Sequence, residues 1–118
     1  MKNVLNTKLE LCCKKPLTGF FRDGLCRTDQ RDQGTHVVCS IMTEDFLNFS
    51  QSRGNDLITP RPEFNFPGLK EGDCWCLCVL RWKEAFDHNV APPVRLKSTA
   101  SEALKYVKLE DLKQNSGN

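Results

Sequence analysis

The sequence predicts an α+β domain, a small mixed, mostly antiparallel sheet with three to four short helices packed against it. Three stretches carry that expectation. Asp73 to Trp82 (Asp-Cys-Trp-Cys-Leu-Cys-Val-Leu-Arg-Trp) is mostly apolar on both alternating faces, as a central strand covered on both sides is. Thr35 to Met42 is rich in β-branched and apolar residues and reads as a second strand. Thr43 then caps a helix with Glu44 and Asp45 in its first turn, Phe46, Leu47 and Phe49 inside, Arg53 near its end and Gly54 after it.

In chain order, the segment up to Cys13 alternates through Leu9 and Leu11, enough for a short edge strand, before Lys14-Lys15-Pro16-Leu17-Thr18-Gly19 breaks it. Phe20 to Gln33 is a polar, Gly-punctuated loop of the kind that carries function in small domains. After the Thr43 helix, Asn55 to Leu69 holds three prolines yet also Leu57, Ile58, Phe64, Phe66 and Leu69, so it reads as an ordered wall beside the central strand. Beyond that strand, Trp82, Ala85 and Phe86 recur at helical spacing until Ala91-Pro92-Pro93. Val94 to Lys97 reads as a short strand, Thr99 to Glu102 as a capping box opening a brief helix, and Leu109 with Leu112 as a last amphipathic turn. Residues 1–113 are expected to form one domain and 114–118 a disordered tail.

At 118 residues such a domain buries roughly 60 to 70 per cent of its unfolded surface and needs no staples. No apolar run approaches membrane-spanning length, and the first six residues lack a signal peptide's apolar core, so a cytoplasmic protein is expected. Seven cysteines, an odd number, are then expected to be reduced. The net charge of +2 comes from 17 basic and 15 acidic residues with interspersed signs, which argues against nucleic-acid or membrane partners.

Two constellations could carry chemistry. Cys74, Cys76 and Cys78 share one face of the predicted strand, opposite Trp75, Leu77, Val79 and Arg81. Same-face neighbours lie about 6.5 to 7 Å apart at Cα, so these thiols need partners from elsewhere to bond or to bind. Cys26, His36, Cys39, Cys76 and Cys78 form a candidate ligand set for zinc or iron, without any C-x-x-C knuckle; the alternative is buried structural thiols and no cofactor. Cys26, between Arg22, Asp23 and Arg27, is the candidate nucleophile, with His36 ten residues on as its base. The second constellation is Asn55, Asp56, Asp73, Arg81 and Glu84 beside the ends of the central strand, where arginine offers a fork to an anion; its bland counterpart is an ion pair of Arg81 with Asp56 or Asp73.

The runs Pro16-Leu17-Thr18-Gly19-Phe20-Phe21-Arg22-Asp23-Gly24, His36-Val37-Val38-Cys39, Thr43-Glu44-Asp45-Phe46-Leu47, Gly54-Asn55-Asp56-Leu57, Phe66-Pro67-Gly68-Leu69, Trp75-Cys76-Leu77-Cys78 and Arg81-Trp82-Lys83-Glu84-Ala85 resemble a small, mainly bacterial family of uncharacterised proteins, the domain of unknown function DUF2237. The resemblance covers roughly Leu11 to Leu112. It implies that Asp23, Cys26, Asp32, His36, Cys39, Asn55, Asp56, Asp73, Cys76, Cys78, Arg81 and Glu84 are the positions to inspect. The chain departs from the family pattern at Leu25, Cys74 and Ala100, which argues against Cys74 as a ligand.

The leading functional reading is a small-molecule site between the Phe20 to His36 loop, the Gly54 to Leu69 wall and the end of the central strand. Arg81 would anchor an anionic group, Asp23, Asn55, Asp56, Asp73 and Glu84 would line it, and Cys26 and His36 would face its reactive side. A thiol-based metal or redox module is the alternative. A protein-interaction module, including association of the chain with itself, is the third. These residues locate a site without naming a reaction.

Overall fold

The computed structural model describes residues 1–117. Strand β1 (His36–Ile41) pairs antiparallel with β2 (Cys74–Cys78), and helices α1 (Glu44–Ser52), α2 (Val79–Asp87) and α3 (Leu109–Gln114) complete an α+β fold. Short 3-10 turns cover Pro62–Phe64, Leu96–Ser98 and Ser101–Lys105. Thr43 caps α1 as its sequence requires, its hydroxyl accepting from the Phe46 N–H at 3.1 Å.

The register places Cys39 opposite Cys76 and Ile41 opposite Cys74, with an irregularity between His36 and Val38. Neither edge of this ribbon is bare. Along β1, Ile41 donates to the Pro93 carbonyl (2.8 Å), Arg95 donates to the Cys39 carbonyl (2.8 Å) and Ala100 donates to the Val37 carbonyl (3.0 Å). Along β2, the Cys76 N–H donates to the buried Thr18 hydroxyl at 2.8 Å. Behind the ribbon lies the apolar core of Val37, Val38, Met42, Phe46, Leu77, Val79 and Trp82, with Leu112 closing it. Trp82 is fully buried, stacks on Phe86 with ring centroids 5.3 Å apart and donates its indole N–H to the Pro92 carbonyl. Among the described residues no helix is long and apolar enough to cross a membrane.

Four local expectations are corrected. The central strand ends at Cys78, and Val79, Trp82 and Ala85 are buried at helical spacing while Leu80 is exposed; an apolar run of this length satisfies both periods, and packing chose the helix. The N-terminal segment forms isolated bridges instead of an edge strand, because the buried Asn3 amide gathers the Thr7 hydroxyl and the Lys8 and Lys97 carbonyls into a local knot. Val94 makes single bridges, since the 3-10 turn from Leu96 curls the chain away, and Thr99 does not cap the following turn: its hydroxyl accepts from the Cys39 N–H and donates to the Arg95 carbonyl. Gln114 closes α3, and beyond it Val94 donates to the Asn115 carbonyl and Gly117 donates to the Val94 carbonyl; Asn118 of the expected 114–118 tail lies outside the described residues.

Candidate functional site

Four cysteines from separate parts of the chain meet against one face of the β1–β2 ribbon. Cys39 and Cys76, opposed across the ladder, form the floor; Cys12 from the N-terminal segment and Cys26 from the long loop form the roof. Each disulfide joins roof to floor, Cys12 to Cys39 with Cα atoms 5.8 Å apart and Cys26 to Cys76 at 5.2 Å, both well inside disulfide reach. The sulfurs of Cys12, Cys26 and Cys39 all lie within 4.8 Å of one another. All four residues are buried, and the partly buried Cys13 and Cys74 pack against them. The expectation of seven reduced thiols is thus corrected: Cys13, Cys74 and Cys78 are free, and the other four are paired because the roof segments supply the partners that same-face neighbours on β2 cannot.

Cys76 also borders an open cavity of about 440 Å³. Phe20, Leu57, Phe66 and Trp75 give it apolar walls, and Arg22, His36 and Asp56 supply its charged and polar groups. Gly19 and Gly68 let the two walls close: both take positive φ, and a Cβ on either would run into the carbonyl of Leu25 or of Ile58. Arg22 lies 5.1 Å over the Trp75 ring and donates to the Gly19 carbonyl at 2.6 Å, which fixes its guanidinium at the cavity.

His36 is held by a carboxylate below it. Its Nδ1 lies 2.6 Å from Asp32 Oδ1, while Asp32 Oδ2 accepts from the His36 backbone N–H and the Thr28 hydroxyl, each at 2.9 Å. Burial pushes the Asp32 carboxyl up, but the bonds from His36 and Thr28 outweigh it and leave it below the usual carboxylate range. This bracing holds Thr35, a β-branched residue, at φ 48°.

The residues singled out by sequence divide between this site and braces elsewhere. His36, Asp56 and Cys76 line the cavity, and Cys26 lies behind Cys76 as its disulfide partner. Asp23 pairs with Arg27 at 2.7 Å and accepts from the Leu25 N–H, steadying the loop that carries Cys26. Asn55 turns the chain out of α1, its N–H donating to the Ser50 carbonyl and its carbonyl accepting from the Ser50 hydroxyl, and Asp73 accepts from the Lys70 N–H in the turn before β2. Arg81 donates to Glu84 and to the Arg53 carbonyl, and Glu84 also accepts from Arg53, so Arg81 pairs with neither Asp56 nor Asp73. Asn55, Asp73, Arg81 and Glu84 do not line the cavity. Of the candidate thiol and imidazole ligands, Cys26, Cys39 and Cys76 cluster, whereas His36 and Cys78 pair at the far end of the ribbon.

Sequence reasoning did not single out Cys12, Arg22, Thr18 and Thr99 for the site. Cys12 was visible only as half of an adjacent Cys-Cys pair, and Arg22 only as a neighbour of Cys26 in the loop.

Compared with known families, residues 2–116 match the family described as uncharacterised proteins conserved in bacteria. The chain belongs to the DUF2237 family. The match takes in both roof and both floor cysteines of the DUF2237 cluster and the whole cavity. No curated protein matches this DUF2237 chain.

Proposed function

We propose that this protein carries out thiol–disulfide exchange, with the four-cysteine cluster as its redox centre and the cavity beside Cys76 as the docking place for a small anionic thiol. The observation that carries the reading is the meeting of two adjacent disulfides with an open cavity, at a cysteine bordering both. Cys76 is 1 % exposed at the cavity wall, so attack on its sulfur follows a local opening of that wall; a disulfide enclosed on every side would serve only as a staple.

The incoming thiol RSH binds its carboxylate or sulfonate to Arg22, the cation that takes the part expected of Arg81. Asp32 engages Nδ1 of His36, which leaves Nε2 to accept the thiol proton. The thiolate attacks Cys76 Sγ, the Cys26–Cys76 bond breaks and its electron pair leaves with Cys26, which is then protonated. A second RSH attacks the mixed disulfide at the R-bearing sulfur, releasing Cys76 as a thiol and RSSR as product. Two electrons pass from two RSH to the protein disulfide. This reading places the protein in the cytoplasm, where reducing thiols are abundant.

The test is to expose the folded protein to 2-mercaptoethanesulfonate, quench by alkylation and map the labelled cysteines by mass spectrometry. Cys26 and Cys76 should label first with native near-UV circular dichroism retained, and re-oxidation should restore the same pair. Labelling that waits for denaturant would leave both disulfides as staples and end the proposal.

A further inference from the structure

We infer that the four clustered cysteines, once reduced, form a tetrathiolate site for one zinc ion, so that a single centre alternates between two disulfides and a bound metal. This rests on the redox reading above, since both disulfides must open in the folded protein.

The geometry points to a metal because of how the sulfurs are distributed. Two come from the ribbon floor, Cys39 and Cys76, and two from the roof, Cys12 and Cys26, and each disulfide is one roof–floor edge of the same four-cornered figure. Opening both bonds leaves four thiols in one buried cluster. Zinc–sulfur bonds of about 2.3 Å at tetrahedral angles put the sulfurs roughly 3.8 Å apart. Cys12, Cys26 and Cys39 already have their sulfurs within 4.8 Å of one another, and Cys76 reaches the group through its bond to Cys26. Assembly requires the paired sulfurs to move apart and Cys76, which lies outside the group of three, to swing inward on its own segment.

The floor is held independently of the sulfur bonds: the Cys39 and Cys76 N–H groups end on the buried Thr99 and Thr18 hydroxyls. Arg95 sits beside the cluster, donating to the Cys12 carbonyl at 3.1 Å with Cys74 Sγ 3.9 Å away, and offsets part of the excess negative charge of four thiolates around a divalent ion. In this proposal the ion enters from the cavity that Cys76 lines. His36 and Cys78, both read from sequence as ligands, are not needed.

The chemistry balances. Loading zinc onto four thiols releases up to four protons. Two equivalents of a two-electron oxidant such as diamide remove four electrons from the loaded site, form the two S–S bonds and expel the ion.

The test uses the full chain reduced with tris(2-carboxyethyl)phosphine, its fold checked by circular dichroism and its thiols counted, then titrated anaerobically with cobalt(II). The expected result is one cobalt per chain with thiolate charge-transfer and intense tetrahedral d–d absorption, displaced by one equivalent of zinc and lost on diamide treatment with return of both disulfides. The same spectrum is expected from the Cys13→Ser, Cys74→Ser, Cys78→Ser triple variant. A folded, fully reduced protein that takes up no stoichiometric cobalt, or a triple variant that loses the spectrum, would overturn the metal site and leave thiol exchange standing. Disulfides that resist reduction until the chain unfolds would overturn both.

Discussion

Cys39 and Cys76 stand opposite one another across the β1–β2 ladder, yet each directs its backbone N–H away from its partner, onto the hydroxyl of a buried threonine. Cys39 also turns its carbonyl outward, to the Arg95 N–H. The two are therefore a non-hydrogen-bonded pair, the kind that brings opposed side chains closest. That spacing, set by backbone and threonines alone, is what lets two further cysteines settle above them as a cluster.

Thr18→Val and Thr99→Val should each leave a buried N–H without a partner while keeping side-chain volume nearly unchanged. The expected cost is about 1–3 kcal/mol for each. Urea unfolding should show a lower midpoint at unchanged m-value; wild-type midpoints would mean that the cysteine amides find other acceptors.

Reduction of both disulfides should weaken the fold without abolishing it. The bridges close spans of 27 and 50 residues, for which chain entropy gives about 3.5 and about 4 kcal/mol, less in sum because the spans overlap. The apolar core around Trp82 and Phe46 does not depend on them. Far-UV circular dichroism of the reduced protein should remain native at 25 °C with a lower thermal midpoint.

Trp82→Ala removes the largest fully buried side chain, its stack on Phe86 and its bond to Pro92. A loss of about 3–5 kcal/mol is expected, enough to put much of the chain's marginal stability at risk. Chemical denaturation measures it, and a loss below 1 kcal/mol would be incompatible with the packing.

Stability should fall in acid through Asp32. Its carboxyl lies below the ordinary range in the folded protein, because the bonds from His36 and Thr28 outweigh its burial, so the unfolded chain binds its proton at the higher pH. The stabilisation is complete above the unfolded value of about 3.9 and is lost as pH falls through the folded value. Asp23 and Asp56 are lowered too and add to the same window, Asp23 by bonds from Arg27 and Leu25 that outweigh burial, Asp56 by bonds from Thr59 and Ile58. Asp32→Asn should flatten the decline of the unfolding midpoint as pH falls below about 4.

Arg22→Gln should slow reduction by anionic thiols on the order of tenfold while leaving neutral 2-mercaptoethanol unchanged at equal thiolate concentration. Stopped alkylation time courses compare the two, and equal slowing for both would place Arg22 in the fold of the loop rather than in docking.

Much of the fold was legible because local signals agreed with packing. Thr43 with Glu44 and Asp45 announced α1, and the apolar runs announced β1 and β2. Where two periods fitted equally, after Cys78, only burial of Val79, Trp82 and Ala85 decided for helix. Of the site, the sequence marked out His36, Asp56, Cys26 and Cys76, but the cavity's cation is Arg22, and the strand-end arginine Arg81 is engaged by Glu84. Cys12 could not be matched with Cys39 from spacing, since they lie 27 positions apart across mostly irregular chain and nothing local records which thiol lies above which.

The most direct measurement is the midpoint potential of the Cys26–Cys76 pair, read by alkylation and mass spectrometry of the folded protein across glutathione redox buffers. A centre that exchanges electrons with small thiols should titrate reversibly between about −120 and −270 mV, the range of dithiol oxidoreductases. A pair that stays closed below about −300 mV, or that opens only as the fold is lost, would be a structural staple and would contradict the proposed redox function.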